Sequence, residues 1–263
     1  MSDILNKIVH RKREEVAERK KMMSETQLAG TPHFHKPGFS LSRFLVERSG
    51  IIAEFKRKSP SKPQINLDAI SSAIVPQYER AGASASSILT DIDFFGGSDH
   101  DLTKARPLVN IPILRKDFMI DPYQIIESKA LGADVILLIA EILSKSEIEE
   151  MAKLATELGM EVLLEVHTAE QLKKYHESIR NVGVNNRNLK TFVTDIKFSL
   201  DILPDLPMDV MKVSESGIDH PQTVIKLKKA GYEGFLIGEN FMKTNDPGAA
   251  CADFINMINQ VKE

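Results

Sequence analysis

The stretch Ile51–Lys62, IIAEFKRKSPSK, decides how the rest of the chain is read. It begins as a strand. Ile51, Ala53 and Phe55 share one parity and are wholly apolar, which implies a face packed against helices. Ile52, Glu54 and Lys56 share the other parity, so two opposite charges point where a simple core would place hydrocarbon. At the carboxyl end of a buried strand such residues are either a catalytic or ligand-binding pair or a structural ion pair. Both readings stand on this stretch alone.

Moving outward, short apolar runs recur at 85–89, 111–114, 134–139, 161–164, 181–184, 209–213 and 234–237, separated by segments of helical periodicity. With 51–55 they make eight strand candidates, each followed by a helix candidate. Several helices end alike, at Ala81-Gly82, Leu131-Gly132, Leu158-Gly159 and Ala230-Gly231, where glycine can take the left-handed conformation that stops a helix. Pro76, inside the first of these helical segments, predicts a kink or a break. Alternating strands and helices imply a parallel sheet covered by helices, and eight units favour closure into a (β/α)8 TIM barrel over an open sheet. A length of 263 residues suits one such barrel. No GxGxxG loop follows the first strand, which counts against a dinucleotide-binding open sheet.

Upstream, Ser2 or Asp3 caps a predicted amphipathic helix with Ile4, Leu5, Ile8, Val9 and Val16 on one stripe. Its charged residues, Lys12 among them, read as a solvated face. Residues 22–48 read as a loop followed by a short helix through Leu41, Phe44 and Leu45. The division expected is an N-terminal helical extension, 1–48, ahead of a barrel catalytic domain, 49–263.

Composition narrows the function classes. A net charge of −3 gives no general reason to expect nucleic acid, and a single cysteine, Cys251, excludes an internal disulfide or a cysteine cluster. There is no apolar run near the ~20 residues that span a bilayer, and the charged N-terminus is unlike a signal peptide, so a cytoplasmic protein without membrane partners is expected. The histidines show no metal-ligand spacing. His167 is placed near the rim of the barrel mouth, with a structural role.

In a barrel the site lies at the carboxyl ends of the strands. Those ends carry Glu54 and Lys56 on the first strand, Lys116 on the third, Glu165 on the fifth, Asn185 and Arg187 on the sixth, and Glu215 on the seventh. Burying a charge costs several kcal/mol, so gathering this many at one mouth points to function rather than to a structural ion pair. Ser216-Gly217 and Gly238-Glu239-Asn240 follow the last two strands, where barrels commonly hold phosphate on backbone N–H groups. Glu239 is an awkward neighbour for an anion, so its side chain is expected to point away.

Eight segments, IAEFKRKSPSK, LTDIDFFGGS, ILRKDFMID, LGADVILLI, LLEVH, GVNNRNL, VSESGI and FLIGENFM, occur in this order over nearly the whole chain. Together they resemble the indole-3-glycerol-phosphate synthases of tryptophan biosynthesis. The resemblance implies that 1-(2-carboxyphenylamino)-1-deoxyribulose 5-phosphate is closed to indole-3-glycerol phosphate with loss of CO2 and water, using neither metal nor organic cofactor. It implies Lys116 as general acid and Glu165 as base; neighbouring cations are expected to keep the pKa of Lys116 low. Lys56 and Glu54 are implied in carboxylate binding, dehydration or both, while Asn185, Glu215 and Ser216 position the substrate. Phe95, Phe118 and Leu137 are implied as walls around the anthranilate ring. Ser59, Arg187, Gly217, Gly238 and Glu239 are implied near the anionic ends, with the phosphate on the last three.

Two departures stand out. Asn188 replaces the family's usual aspartate beside Arg187, and Glu177-Ser178 replaces a Gly-Ala pair at an expected helix end. The expected protein is a monofunctional monomer acting on a small phosphorylated molecule, with the 59–63 loop as a mobile lip. Two other readings remain at this point: another phosphate-binding barrel enzyme such as a sugar-phosphate isomerase, and a non-catalytic sugar-phosphate sensor.

Overall fold

The computed structural model describes residues 3–188 and 193–260. The apolar runs pair, all in parallel, as β1 (Ile51–Phe55), β2 (Ala85–Leu89), β3 (Ile113–Lys116), β4 (Val135–Ile139), β5 (Glu161–Val166), β6 (Asn181–Asn185), β7 (Met211–Glu215) and β8 (Gly234–Ile237). The sheet closes, with Ile51 opposite Phe235 and Ile52 opposite Leu236 where β8 meets β1. This is the expected (β/α)8 TIM barrel.

Parity works as read from the first stretch. Ile51, Ala53 and Phe55 join the apolar layer between strands and helices, whereas Ile52 joins Ala85, Leu114, Val135, Leu163, Val213 and Leu236 in a second cluster inside the barrel. Ahead of the barrel lie α1 (Asp3–Met22), α2 (Glu25–Ala29) and α3 (Leu41–Glu47). Leu41 and Leu45 of α3 enter the inner cluster at the amino end of the strands, and Ser40 and Ser42 hydrogen-bond to Glu161, the first residue of β5. Leu5 and Ile8 of α1 belong to the same cluster.

The connecting helices are α4 (Ser71–Arg80), α5 (Asp99–Ala105), α6 (Pro122–Leu131), α7 (Lys145–Glu157), α8 (Lys197–Ile202), α9 (Pro221–Ala230), α10 (Glu239–Met242) and α11 (Pro247–Gln260). Gly82, Gly132, Gly159 and Gly231 all have positive φ, so the four predicted helix stops hold.

Several boundaries differ from expectation. The third and seventh strands begin two residues later than read, at Ile113 and Met211. Pro112 has no N–H for a ladder, and Met208-Asp209 form a turn. The shift makes Lys116 and Glu215 the last residues of their strands, fixed by the sheet. After β5 the chain forms only a 3-10 segment, Ala169–Lys174, where a helix is expected. There the Lys174 ammonium is drawn to the carbonyls of Ala140 and Leu143, and Tyr175 is extended. Glu177-Ser178 consequently sit in a turn, not at a helix end. Pro76 does not break α4, which is continuous through it. The short α2, missed in the loop reading, starts on a capping box in which Ser24 and Gln27 satisfy each other's backbone N–H groups.

The largest correction concerns Lys12. It is only 1% exposed, with its ammonium 2.9 Å from Asp117, 3.1 Å from Asp91 and 2.7 Å from Glu15. Arg115, also buried, reaches Asp99 and Glu127, and Arg19 of α1 shares both of those carboxylates. Helix α1 is therefore docked by buried charge pairs as well as by its apolar stripe. Burial works against the Asp117 carboxylate, but Lys12 and Arg115 overcome it and hold the group down at about 2. The folded pKa thus lies below the unfolded value of about 3.9. The associated stabilisation is present above about pH 4 and is lost as pH falls toward 2. Asp117→Asn is expected to cost about 3–5 kcal/mol in urea unfolding at pH 7. The gap from the parent should narrow on acidification toward pH 2; a gap independent of pH would contradict this assignment.

Candidate active site

The strand ends bring five charged side chains to one end of the barrel. Glu54 points inward near the end of β1 and is 3% exposed, and the Lys56 ammonium lies 2.6 Å from its Oε1. On the facing strands, Lys116 Nζ lies 3.0 Å from Glu165 Oε2 and 2.6 Å from Glu215 Oε2. Asn185 Nδ2 donates to the other Glu165 oxygen at 3.0 Å, and Asn185 Oδ1 accepts from the Arg187 N–H. His167 Nε2 is 3.2 Å from Glu165 Oε1, too poorly aligned for a hydrogen bond.

Two carboxylates share one ammonium at Lys116, and this sets the electrostatics. Burial alone would lower Lys116, but Glu165, Glu215 and Glu54 hold it above the ordinary lysine value. The neighbouring cations expected from sequence do not govern this group, since its contacts are anions. Burial would raise Glu165, yet Lys116, His167 and Asn185 pull it below the usual carboxylate range. Glu215 is raised by burial; Lys116 offsets this only in part, and Glu165 adds like-charge repulsion. Its Oε1 is buried without a hydrogen-bond partner. A carboxylate pair around a single cation divides in this way because both members cannot be compensated equally.

Two cavities adjoin here, and Glu54, Lys56, Arg187, Ser216 and Leu236 line both. The first, about 160 Å³, is walled by Phe95, Phe118, Leu137 and Ile139, with Lys116, Glu165, Asn185 and Glu215 at its base and Ser59 at its lip. The Phe95 and Phe118 rings are 5.9 Å apart and tilted by 42°. The second, about 170 Å³, is lined by Gly217, Gly238, Glu239 and Asn240. All the site residues chosen from sequence thus line one or both cavities. Sequence reading missed Ile4, Leu5 and Ile8 of α1, which line the first; their apolar stripe was visible, but nothing in it distinguished docking from lining.

Backbone geometry at the last two strands was only partly legible. Ser216 has φ +67° and Gly217 φ +73°. Left-handed conformation at a non-glycine residue is strained, and the Asn186 amide helps hold it by donating to the Ser216 carbonyl. Gly238 has a different reason to be glycine: a Cβ there would lie 2.4 Å from Glu54 Oε1. Glu239, at the start of α10, is ion-paired with Lys62 of the 59–63 loop. Arg187 hydrogen-bonds Ser61 at 2.9 Å. The loop is thereby pinned across the mouth from two sides, and Arg187 has a fixed direction with asparagine at position 188. Among the described residues no group of three His, Cys, Asp or Glu side chains is placed to hold a metal ion, and no helix is long and apolar enough to cross a membrane.

Known proteins resemble the chain in sequence and in fold. Residues 5–254 match the family described as indole-3-glycerol phosphate synthase. The chain is 50% identical over 259 residues to the indole-3-glycerol phosphate synthase of Bacteroides thetaiotaomicron, covering 98% of this chain and 100% of that one. It is 41% identical over 262 residues to the enzyme of that name from Bordetella pertussis, covering 97% and 100%. Among solved structures, the tryptophan synthase alpha chain from Legionella pneumophila superposes with a TM-score of 0.62 at 10% identity, covering 85% of this chain and 98% of that one. KGPDC from Streptococcus mutans gives 0.59 at 12% identity, covering 80% and 97%. At these identities the structural likenesses concern the barrel fold alone. By sequence and over nearly its whole length, the chain belongs to the indole-3-glycerol phosphate synthase family.

Proposed function

We propose a division of labour among the mouth residues for an activity that family membership fixes. The chain is a decarboxylating lyase of tryptophan biosynthesis, closing 1-(2-carboxyphenylamino)-1-deoxyribulose 5-phosphate to indole-3-glycerol phosphate with loss of CO2 and water. The observation that carries the assignment of roles is the pair of adjoining cavities: one has aromatic walls and a buried ammonium, the other is bounded by the Gly217 and Gly238 loops. A substrate with an aromatic ring at one end and a phosphate at the other fits that polarity.

In this reading Phe95, Phe118 and Leu137 hold the ring, and backbone N–H groups around Gly217, Gly238 and Glu239 hold the phosphate, with Arg187 and Ser59 alongside. Lys116 sits between the ends. An ammonium has three donors; Glu165 and Glu215 take two, so the third is available to the substrate carbonyl. As the ring carbon attacks, that oxygen acquires alkoxide character and becomes basic enough to take a firmly held proton.

Loss of the Lys116 proton removes the cation that depresses Glu165, so Glu165 becomes a stronger base for the dehydration that follows. CO2 leaves between these steps and restores the ring electrons. The Glu54–Lys56 pair is placed to meet the departing carboxylate or the departing hydroxyl. Asn185, Glu215 and Ser216 orient the reacting centre.

Purified protein given the named substrate should develop indole absorbance. Lys116→Met should lower kcat by about 10²–10⁴-fold while circular dichroism shows the barrel retained; near-parental turnover would remove Lys116 as the acid. A second variant tests the carboxylate that shares it. A Cβ on Gly183 would lie 2.2 Å from Glu215 Oε1, so Gly183→Ala must displace that carboxylate from Lys116. The expected cost is about 1–3 kcal/mol of stability, together with a clear fall in kcat; unchanged kcat would show that the position of Glu215 is immaterial.

A further inference from the structure

Lys12 lies on α1, more than a hundred residues before Lys116, and is not among the residues lining the two cavities. Its ammonium nevertheless contacts carboxylates just beyond two mouth-forming strands, two residues past the end of β2 and one past the end of β3. Asp91 Oδ2 is 3.1 Å away and Asp117 Oδ1 is 2.9 Å away. Each aspartate is itself a backbone clamp. Asp91 Oδ1 accepts the Phe94 N–H at 2.8 Å, closing the turn that presents Phe95. Asp117 Oδ1 accepts the Phe118 N–H at 2.8 Å, and Asp117 Oδ2 accepts from Thr90, beside Asp91, at 2.6 Å. One cation thus ties together the backbones that carry the two rings of the aromatic wall, and Asp117 directly follows Lys116.

Purely structural docking of α1 would not require this placement. The helix already has an apolar stripe in Leu5, Ile8 and Val16, and ion pairs from Arg11 to Asp93 and from Arg19 to Glu127. A buried ammonium carries a large desolvation cost and is often no more stabilising than an apolar replacement. Its geometric consequence is to fix where the two aspartates sit, and with them the spacing of Phe95 and Phe118.

We propose that Lys12 is a positioning residue for the aromatic end of the substrate, acting through Asp91 and Asp117 on the separation of the two rings. The inference rests on reading the mouth as the ring-closing site. It makes α1 part of the specificity apparatus through a residue that never touches substrate.

The test is steady-state kinetics of full-length Lys12→Met with the carboxyphenylamino-deoxyribulose phosphate, alongside competitive inhibition by inorganic phosphate as a probe of the other end. KM should rise about tenfold or more, while the phosphate Ki stays within about twofold. A folded variant with parental KM, or one in which KM and the phosphate Ki move together, overturns the proposal. Should the single variant not fold, Lys12→Met with Asp91→Asn rebalances the buried charge without restoring the clamp, and the same criteria apply. Failure of both to fold makes Lys12 a folding residue only and also overturns it. The parental protein is assayed first: without turnover the reading of the mouth fails, whereas turnover with a normal variant KM sinks only the role of Lys12.

Discussion

A single ammonium shared by two buried carboxylates is the constraint on which the rest of the structure depends. Lys116, Glu165 and Glu215 come from three strands and meet within 3.0 Å. Such a group is tolerable only when water is replaced by fixed partners. The closed sheet supplies the fixing, because Glu165 and Glu215 are paired with a strand on each side and Lys116 is paired with Leu89 of β2. The outcome is a firmly charged lysine, one carboxylate held below its usual range and one above it. These are different proton affinities within one contact, the property a reaction with successive acid and base steps needs.

The same strand end shows how the barrel separates the mouth from its support. Arg115, Lys116 and Asp117 are consecutive. Arg115 points to the helices and meets Glu127 and Asp99; Lys116 points into the mouth; Asp117 meets Lys12 of α1. Alternating direction along a strand allows neighbouring charges to belong to separate networks. The extension bears on both ends: Leu41 and Leu45 fill the inner cluster at the amino end, and Leu5 and Ile8 border the cavity at the other.

Much of this was legible in sequence where physics is local. The inward parity of Glu54 and Lys56, the apolar alternate face and the glycine helix stops depend on neighbours in the chain, and they hold. What sequence left open is non-local. Lys12 looks like any lysine on an exposed helix face, because Asp91 and Asp117 lie far along the chain; only the fold brings them together. The direction of the Lys116 shift was misread for the same reason, since nearby residues Arg115 and Lys56 are cations while the actual contacts are Glu165 and Glu215. The capping box of α2 was local and readable; the surrounding glycine and prolines drew attention to a loop instead.

The central claim is that one mouth holds ring and phosphate at opposite ends with Lys116 between them. A crystal structure of the chain with indole-3-glycerol phosphate bound tests it most directly. The account predicts the indole between Phe95 and Phe118, the phosphate on the backbone of the Gly217 and Gly238 loops, and Lys116 Nζ nearest the indole carbon that was the substrate carbonyl. A product bound in the reverse direction, or away from Lys116, would contradict it.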